Sequence, residues 1–272
     1  MPAAAPELIV QISDPHLRVG PDDRGSGASL AAAVAAVGRL DPAPAAVLLT
    51  GDIAERGAPA EYERVREFLQ PLAMPVHPLP GNLDDRDALR AAFADHPGVA
   101  ATTGCVQYTV RCGSIRVVMC DTQLPGSHAG ALGPERLAWL GAALALERAA
   151  PTVIAMHHPP VLCGIREIDG IALPPDDRRA LAAAVDAAPH VRRLVAGHVH
   201  RAFTGRLGAC PVVVCPSVHL QAVLDLSAGD LRHVSGAPAM AVHVLLADGE
   251  LASHVHPIEV GPDQAASRPS AR

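Results

Sequence analysis

The chain has 272 residues, 49% of them hydrophobic, enough to bury a large core, and one domain over residues 1–260 is expected. A formal charge of −6 with no basic block excludes the electrostatic footprint of a nucleic-acid binder. No apolar stretch reaches the ~18 residues of a membrane span, and the opening MPAAAPELIVQIS lacks a basic n-region, so a cytoplasmic protein is expected.

The first predicted strand is ELIVQIS (7–13), followed by a Gly/Asp-rich loop at 18–28 and a helical pattern over 29–40. AVLLT (46–50) reads as a second strand. In the next segment Tyr62, Val65, Leu69 and Leu72 share one stripe behind Pro59, as in a helix that opens on proline. PVHPLP (75–80) is a short strand before a helix over 85–94, and VQYTV (106–110) and IRVVM (115–119) are the next pair of strands. A helix over 134–149 leads to the strand TVIAM (152–156), a loop over 164–177, a helix over 176–187 and the strand RLVAG (193–197). From 201 to 258 the pattern is strands without helices, starting with PVVVC (211–215), and 261–272 is predicted as a flexible tail. Alternating strands and helices closed by a β-rich segment predict an α/β core, several of whose strands are apolar on both faces. Six cysteines, at 105, 112, 120, 163, 210 and 215, form no C-x-x-C pair, which predicts reduced thiols.

The residues directly behind the strands carry the chemistry. ELIVQIS runs into Asp14 and His16, AVLLT into Asp52, PVHPLP into Asn82, TVIAM into His157 and His158, and RLVAG into His198 and His200. Each is a ligand-type side chain at the carboxyl end of a strand, the edge where open α/β sheets bind ligands. Two carboxylates, one amide oxygen and four imidazoles, with no thiolate, suit Mn, Fe, Zn or Co and argue against an iron–sulfur or cysteine-zinc site. Seven side chains exceed what one ion accepts and fill two adjacent sites if Asp52 bridges them. One such dipeptide alone would be an ordinary turn; five in series, each behind an apolar run, predict a metal centre built from Asp14, His16, Asp52, Asn82, His157, His198 and His200.

The words ISDPHL, TGDIAERG, GNLDDR, MHHPP and LVAGHVHRAF, in that order, resemble the calcineurin-like metallophosphoesterases. With LPGSHAGALGPERLAWL and PSVH the chain looks more narrowly like the bacterial class III cyclic nucleotide phosphodiesterases and related glycerophosphodiesterases. The resemblance implies two mixed β-sheets packed as a sandwich and flanked by helices. It implies one ion on Asp14, His16, Asp52 and His200 and a second on Asp52, Asn82, His157 and His198, with His158 outside the set. It further implies hydrolysis of a small phosphodiester by a metal-bridging hydroxide, with Asp52 and Asn82 serving the reaction. A phosphomonoesterase or phosphonate ester hydrolase on the same site is the alternative, and a metal-binding interaction module weakened in catalysis is a second. No membrane or nucleic-acid polymer partner is expected. The C-terminal strands offer a surface for homo-oligomer formation.

The chain departs from the family at one position. GN is usually followed by a histidine that protonates the leaving oxygen, and here Leu83 holds that place. General acid catalysis is typically worth about 10²–10⁴-fold. Its source would then be a metal-held water or a substitute such as His158 or His219, unless turnover is slow. Asp84, the usual support of the missing histidine, loses its obvious role, and Arg86 could reach a phosphate or serve its own helix.

Overall fold

A computed structural model describes residues 6–21, 23–227 and 230–259, so the expected tail at 261–272 lies outside the described residues. One sheet contains β1 (Glu7–Ile12), β2 (Ala46–Thr50) and β3 (Val76–Leu79) as parallel neighbours, extended through β12 (Ala239–Leu245) to β13 (Leu251–Pro257) at the edge. The pairings of β12 with β1 and of β13 with β12 are antiparallel. The second sheet runs in the order β4 (Tyr108–Cys112), β5 (Ile115–Cys120), β6 (Thr152–Met156), β7 (Val191–Ala196), β9 (Cys210–Val214), β8 (Phe203–Leu207). Its four central strands are parallel and its two outer ones antiparallel to their neighbours. A small ribbon of β10 (Gln221–Ala222) and β11 (His233–Val234) stands apart.

Residue alternation sorts the second sheet into two faces. Val117, Met119, Val153, Ala155 and Val195 face inward and share a core with Ile9, Ala46 and Leu48 of the first sheet. Their neighbours Val118, Cys120, Ile154, Met156, Leu194 and Ala196 face outward beneath α5 (Gly133–Leu146) and α7 (Pro175–Asp186), which cover them with Leu140, Leu144, Leu181 and Val185. On the far side of the first sheet, α1 (Ser26–Gly38), α2 (Pro59–Leu69) and α3 (Arg86–Ala92) contribute Leu30, Val34, Tyr62, Val65 and Leu89. The result is the sandwich of two mixed sheets between helices that the resemblance implied. Two one-turn helices, α4 (Pro97–Ala100) and α6 (Arg166–Asp169), were not legible as helices, because four residues are too short for a 3.6-residue period to show. The second lies inside the expected loop 164–177, where Ile165, Ile168 and Leu173 are buried.

Candidate metal centre

β1, β2, β3, β6 and β7 all end at the same rim, so the residues after them meet where the two sheets adjoin. The backbone there is strained in a consistent way. Asp14, His16, Asp52, His198 and His200 have φ of 53°, 47°, 44°, 69° and 53°, in the left-handed region that side chains avoid. Such residues persist only where their surroundings over-determine them, and they cluster at functional sites. Glycines make the close approach of the strand ends feasible. A Cβ on Gly51, whose φ is 86°, would lie 2.3 Å from His157 Nδ1, and one on Gly197 would lie 1.9 Å from Ser13 Oγ.

The ring nitrogens show what this geometry is for. His16 Nδ1 donates to Glu55 Oε2 at 2.7 Å, His200 Nδ1 to the Leu220 carbonyl at 3.0 Å, and His157 Nδ1 to the Thr50 carbonyl at 2.9 Å. In each ring the other nitrogen, Nε2, then faces the shared space. His16 Nε2 and His200 Nε2 are 2.9 Å apart, and His157 Nε2 is 3.1 Å from Asn82 Oδ1 and 3.3 Å from His198 Nδ1. Asp52 Oδ2 stands between the two groups, 3.7 Å from His16 Nε2 and 3.5 Å from His157 Nε2. Asp14 Oδ1 is 3.5 Å from His200 Nε2. Nitrogens and oxygens this close repel unless a proton or a metal cation lies among them, and His198 Nε2 is buried with no hydrogen-bond partner. Asp14, His16 and His200 form one potential ion-binding group, Asp14, Asp52 and His157 another, and His157, His158 and His198 a third. The His/Asp cluster is therefore able to hold metal, and all seven residues expected from the strand ends converge on it.

Electrostatics agree with that arrangement. Burial opposes ionisation of Asp14 and Asp52, yet His200 beside the first and His157 beside the second hold both carboxyls below their usual range. Burial likewise opposes charge on His157, but Asp52 and Asp14 outweigh it and lift the ring to about 9. In the metal-free chain a proton therefore occupies the place a metal would take.

The neighbouring residues sort into support and surface. His158 is fully buried; its Nδ1 accepts from Thr122 Oγ1 at 2.8 Å and its Nε2 donates to the His128 carbonyl at 3.1 Å. Burial, reinforced by His157, pushes it down to about 3. With both ring nitrogens engaged, His158 ties Thr122 to the loop carrying His128. His219 is also largely buried, with Nδ1 3.4 Å from Ser29 Oγ. Asp84 has work without a partner histidine. Its carboxylate accepts from the Ile53, Ala54 and Gly81 amides and from Tyr62 Oη at 2.8 Å, joining the turns after β2 and β3. Arg86 is committed to Asp121, at 2.7 and 2.9 Å, and to the Gln123 carbonyl.

Three site residues escaped sequence reasoning. Glu55 orients His16 and Thr122 orients His158, but an acidic residue in a loop and a threonine after a strand carry no signal of their own. His233, on β11, lies with its ring centroid 4.8 Å from that of His200. Thirty-three residues separate the two in sequence, so no spacing could have paired them.

The chain matches the family Calcineurin-like phosphoesterase over residues 8–202. It is 32% identical over 215 residues to a probable cyclic nucleotide phosphodiesterase of a Synechococcus species, covering 78% of this chain and 81% of the relative. It is 30% identical to a cAMP/cGMP dual specificity phosphodiesterase of Mycobacterium tuberculosis (87% and 76% covered). It is 28% identical to a probable glycerophosphodiester phosphodiesterase of Arcobacter nitrofigilis (91% and 92% covered). Among solved structures, a purple acid phosphatase from yellow lupin superposes with a TM-score of 0.59 at 14% identity, covering 92% of this chain and 53% of that one, which speaks for the fold alone. Among the described residues no helix is long and apolar enough to cross a membrane. The matched span contains all five ligand-bearing strand ends, and on that footing the chain belongs to the calcineurin-like phosphoesterase family.

Proposed function

We propose that the protein is a metal-dependent phosphodiesterase that hydrolyses a small diester of the cyclic nucleotide or glycerophosphodiester type. The observation that carries this reading is the set of imidazole nitrogens and carboxylate oxygens turned inward on one another, with the rings of His16, His157 and His200 each held from behind by a hydrogen bond. Two ions among Mn, Fe, Zn and Co suit the donor set: one on Asp14, His16, Asp52 and His200, the other on Asp52, Asn82, His157 and His198. Bound there, they would supply a water ionised at neutral pH and positive charge for the phosphoryl oxygens. Asp52 would serve both ions, since its Oδ2 faces both histidine groups while Oδ1 is fixed by the Leu83 amide at 2.9 Å. Relatives named as phosphodiesterases support diesters over monoesters.

The chain's own residues also supply a donor at the edge where Leu83 offers none. Asn82 Nδ2 donates to His128 Nδ1 at 3.3 Å, which leaves the exposed His128 ring with Nε2–H free to hydrogen-bond the phosphate or its leaving oxygen. We assign that contact to His128. The edge of β13, which bears no further strand among the described residues, is where we place any pairing of subunits. The six free thiols fit a reducing, cytoplasmic setting.

Purification without chelator, elemental analysis, and assay of bis-nitrophenyl phosphate and cyclic AMP test the proposal. The expected result is about two ions per chain with diester hydrolysis lost in Asn82→Ala. A protein that takes up no ion under any loading condition would overturn it.

A further inference from the structure

We infer that Gln11 is a positioning residue for the metal centre, its side-chain amide tying together the two strand ends that present Asp52 and His198. The inference rests on the reading of the site just given. Gln11 points from β1 into the layer between the sheets, is fully buried, and sits among Ile9, Val10 and Ile12, where an apolar side chain would pack at no polar cost. Its amide nitrogen donates to Thr50 Oγ1 at 2.9 Å and to the Ala196 carbonyl at 3.0 Å. Thr50 is the last residue of β2, directly before Gly51 and Asp52, and its carbonyl receives the His157 Nδ1 proton. Ala196 is the last residue of β7, directly before Gly197 and His198. One amide thus joins the two sheets at the point where their ligands emerge.

Its orientation is fixed from the other side. The Ala196 carbonyl can only accept, so the amide nitrogen faces β7 and the oxygen faces away. That oxygen lies 3.3 Å from His243 Nε2, and His243 Nδ1 lies 2.8 Å from Ser253 Oγ on β13. Ser253 donates to His243, His243 to Gln11, and Gln11 to both strand ends, so every polar atom of the buried amide is used. A fully satisfied buried network rigidifies the elements it joins, whereas a half-satisfied one is costly. Groups behind metal ligands typically control affinity by about 10–100-fold.

The test is manganese(II) affinity of the full chain, measured by titration after chelator treatment. Gln11→Met keeps the volume and removes all three hydrogen bonds. We expect it to keep the wild-type circular dichroism spectrum and to bind manganese about 10–100-fold more weakly. Thr50→Val removes one of the same bonds, and the double variant should lose no more than the worse single variant, because both act through one link. Ser253→Ala trims the partly exposed end of the chain, where folding is not at stake, and should weaken manganese binding in the same direction. Wild-type affinity in folded Gln11→Met, or additive losses in the double variant, would overturn the inference. Should Gln11→Met not fold, unchanged affinity in Ser253→Ala does so instead. Failure of the wild-type protein itself to bind manganese would sink the metal centre, a distinguishable result.

Discussion

At the scale of single residues, seven ligand-type side chains converge, and Leu83 stands where a histidine was expected. Leu83 is half-buried and contributes only its amide, to Asp52 Oδ1. A leucine there costs most where the leaving oxygen is most basic, so Leu83→His should raise kcat on alkyl phosphodiesters more than on nitrophenyl esters, whose leaving groups depart unaided. Equal gains on both, in parallel steady-state assays, would refute this. His128 carries the complementary expectation. Loss of one hydrogen bond to a charged group is worth about 1.5–3 kcal/mol, so His128→Ala should lower kcat/KM by roughly 10–100-fold while leaving bound metal unchanged. Metal lost together with activity would instead show that His128 acts by holding Asn82, whose Nδ2 it accepts from. The seven convergent residues were legible in the sequence because each is a polar, ligand-type side chain directly behind an apolar run. Glu55, Thr122 and His233 were not, because their contribution lies in what they face across space.

At the scale of elements, the strands were legible because β-branched runs buried on both faces are uniform in composition: Ala46–Thr50 and Thr152–Met156 coincide with the runs read from sequence. Boundaries shifted where a polar or proline residue lies at the end. The run 7–13 ends at Ile12, since Ser13 leaves the ladder to bond Asp14 Oδ2 and the Thr50 carbonyl. α3 starts at Arg86, because Asp85 caps it through the Asp87 and Ala88 amides. The strand ends themselves set a packing limit that no hydropathy pattern reveals. β7 can release His198 beside Asp14 only because Gly197 brings no Cβ into the space of Ser13 Oγ. Gly197→Ala should destabilise the metal-free protein by about 1–3 kcal/mol, the usual cost of overpacking. It should also weaken metal binding, since Ser13 Oγ cannot retreat without moving Asp14. Thermal denaturation and manganese titration of the variant check both effects, and a variant with wild-type values in each would show that the strand ends are looser than the geometry implies.

At the scale of the whole molecule, two populations of histidine pull stability in opposite directions with pH. His243 lies fully buried between the strands of the first sheet, where burial pushes it down to about 3, and His77 on β3 is held at about 4 by burial and by His96. Both titrate near 6.5 once unfolded. Below that value the unfolded chain takes up protons that the folded chain refuses, so stability falls as pH drops from 6.5 toward 4, by roughly 1.4 kcal/mol per pH unit for each ring. His157 behaves in the reverse sense. Its folded value of about 9 lies above its unfolded one, so its contribution is complete below pH 6.5 and is lost as pH rises toward 9. The metal-free protein should therefore be most stable close to pH 6.5, with an acid limb set by the buried rings and an alkaline limb set by the site. A bound cation displaces the proton of His157, so metal loading should raise the melting temperature and flatten the alkaline limb while leaving the acid limb in place. Replacing His243 with glutamine, which takes up no proton in this range, should make the acid limb shallower by one ring's share. Melting curves of metal-free, metal-loaded and His243→Gln protein across pH 4–9 decide the matter. An alkaline limb that survives metal loading would mean that His157 keeps its proton and is not a ligand, and an acid limb unchanged by His243→Gln would show that the buried ring is already protonated in the fold.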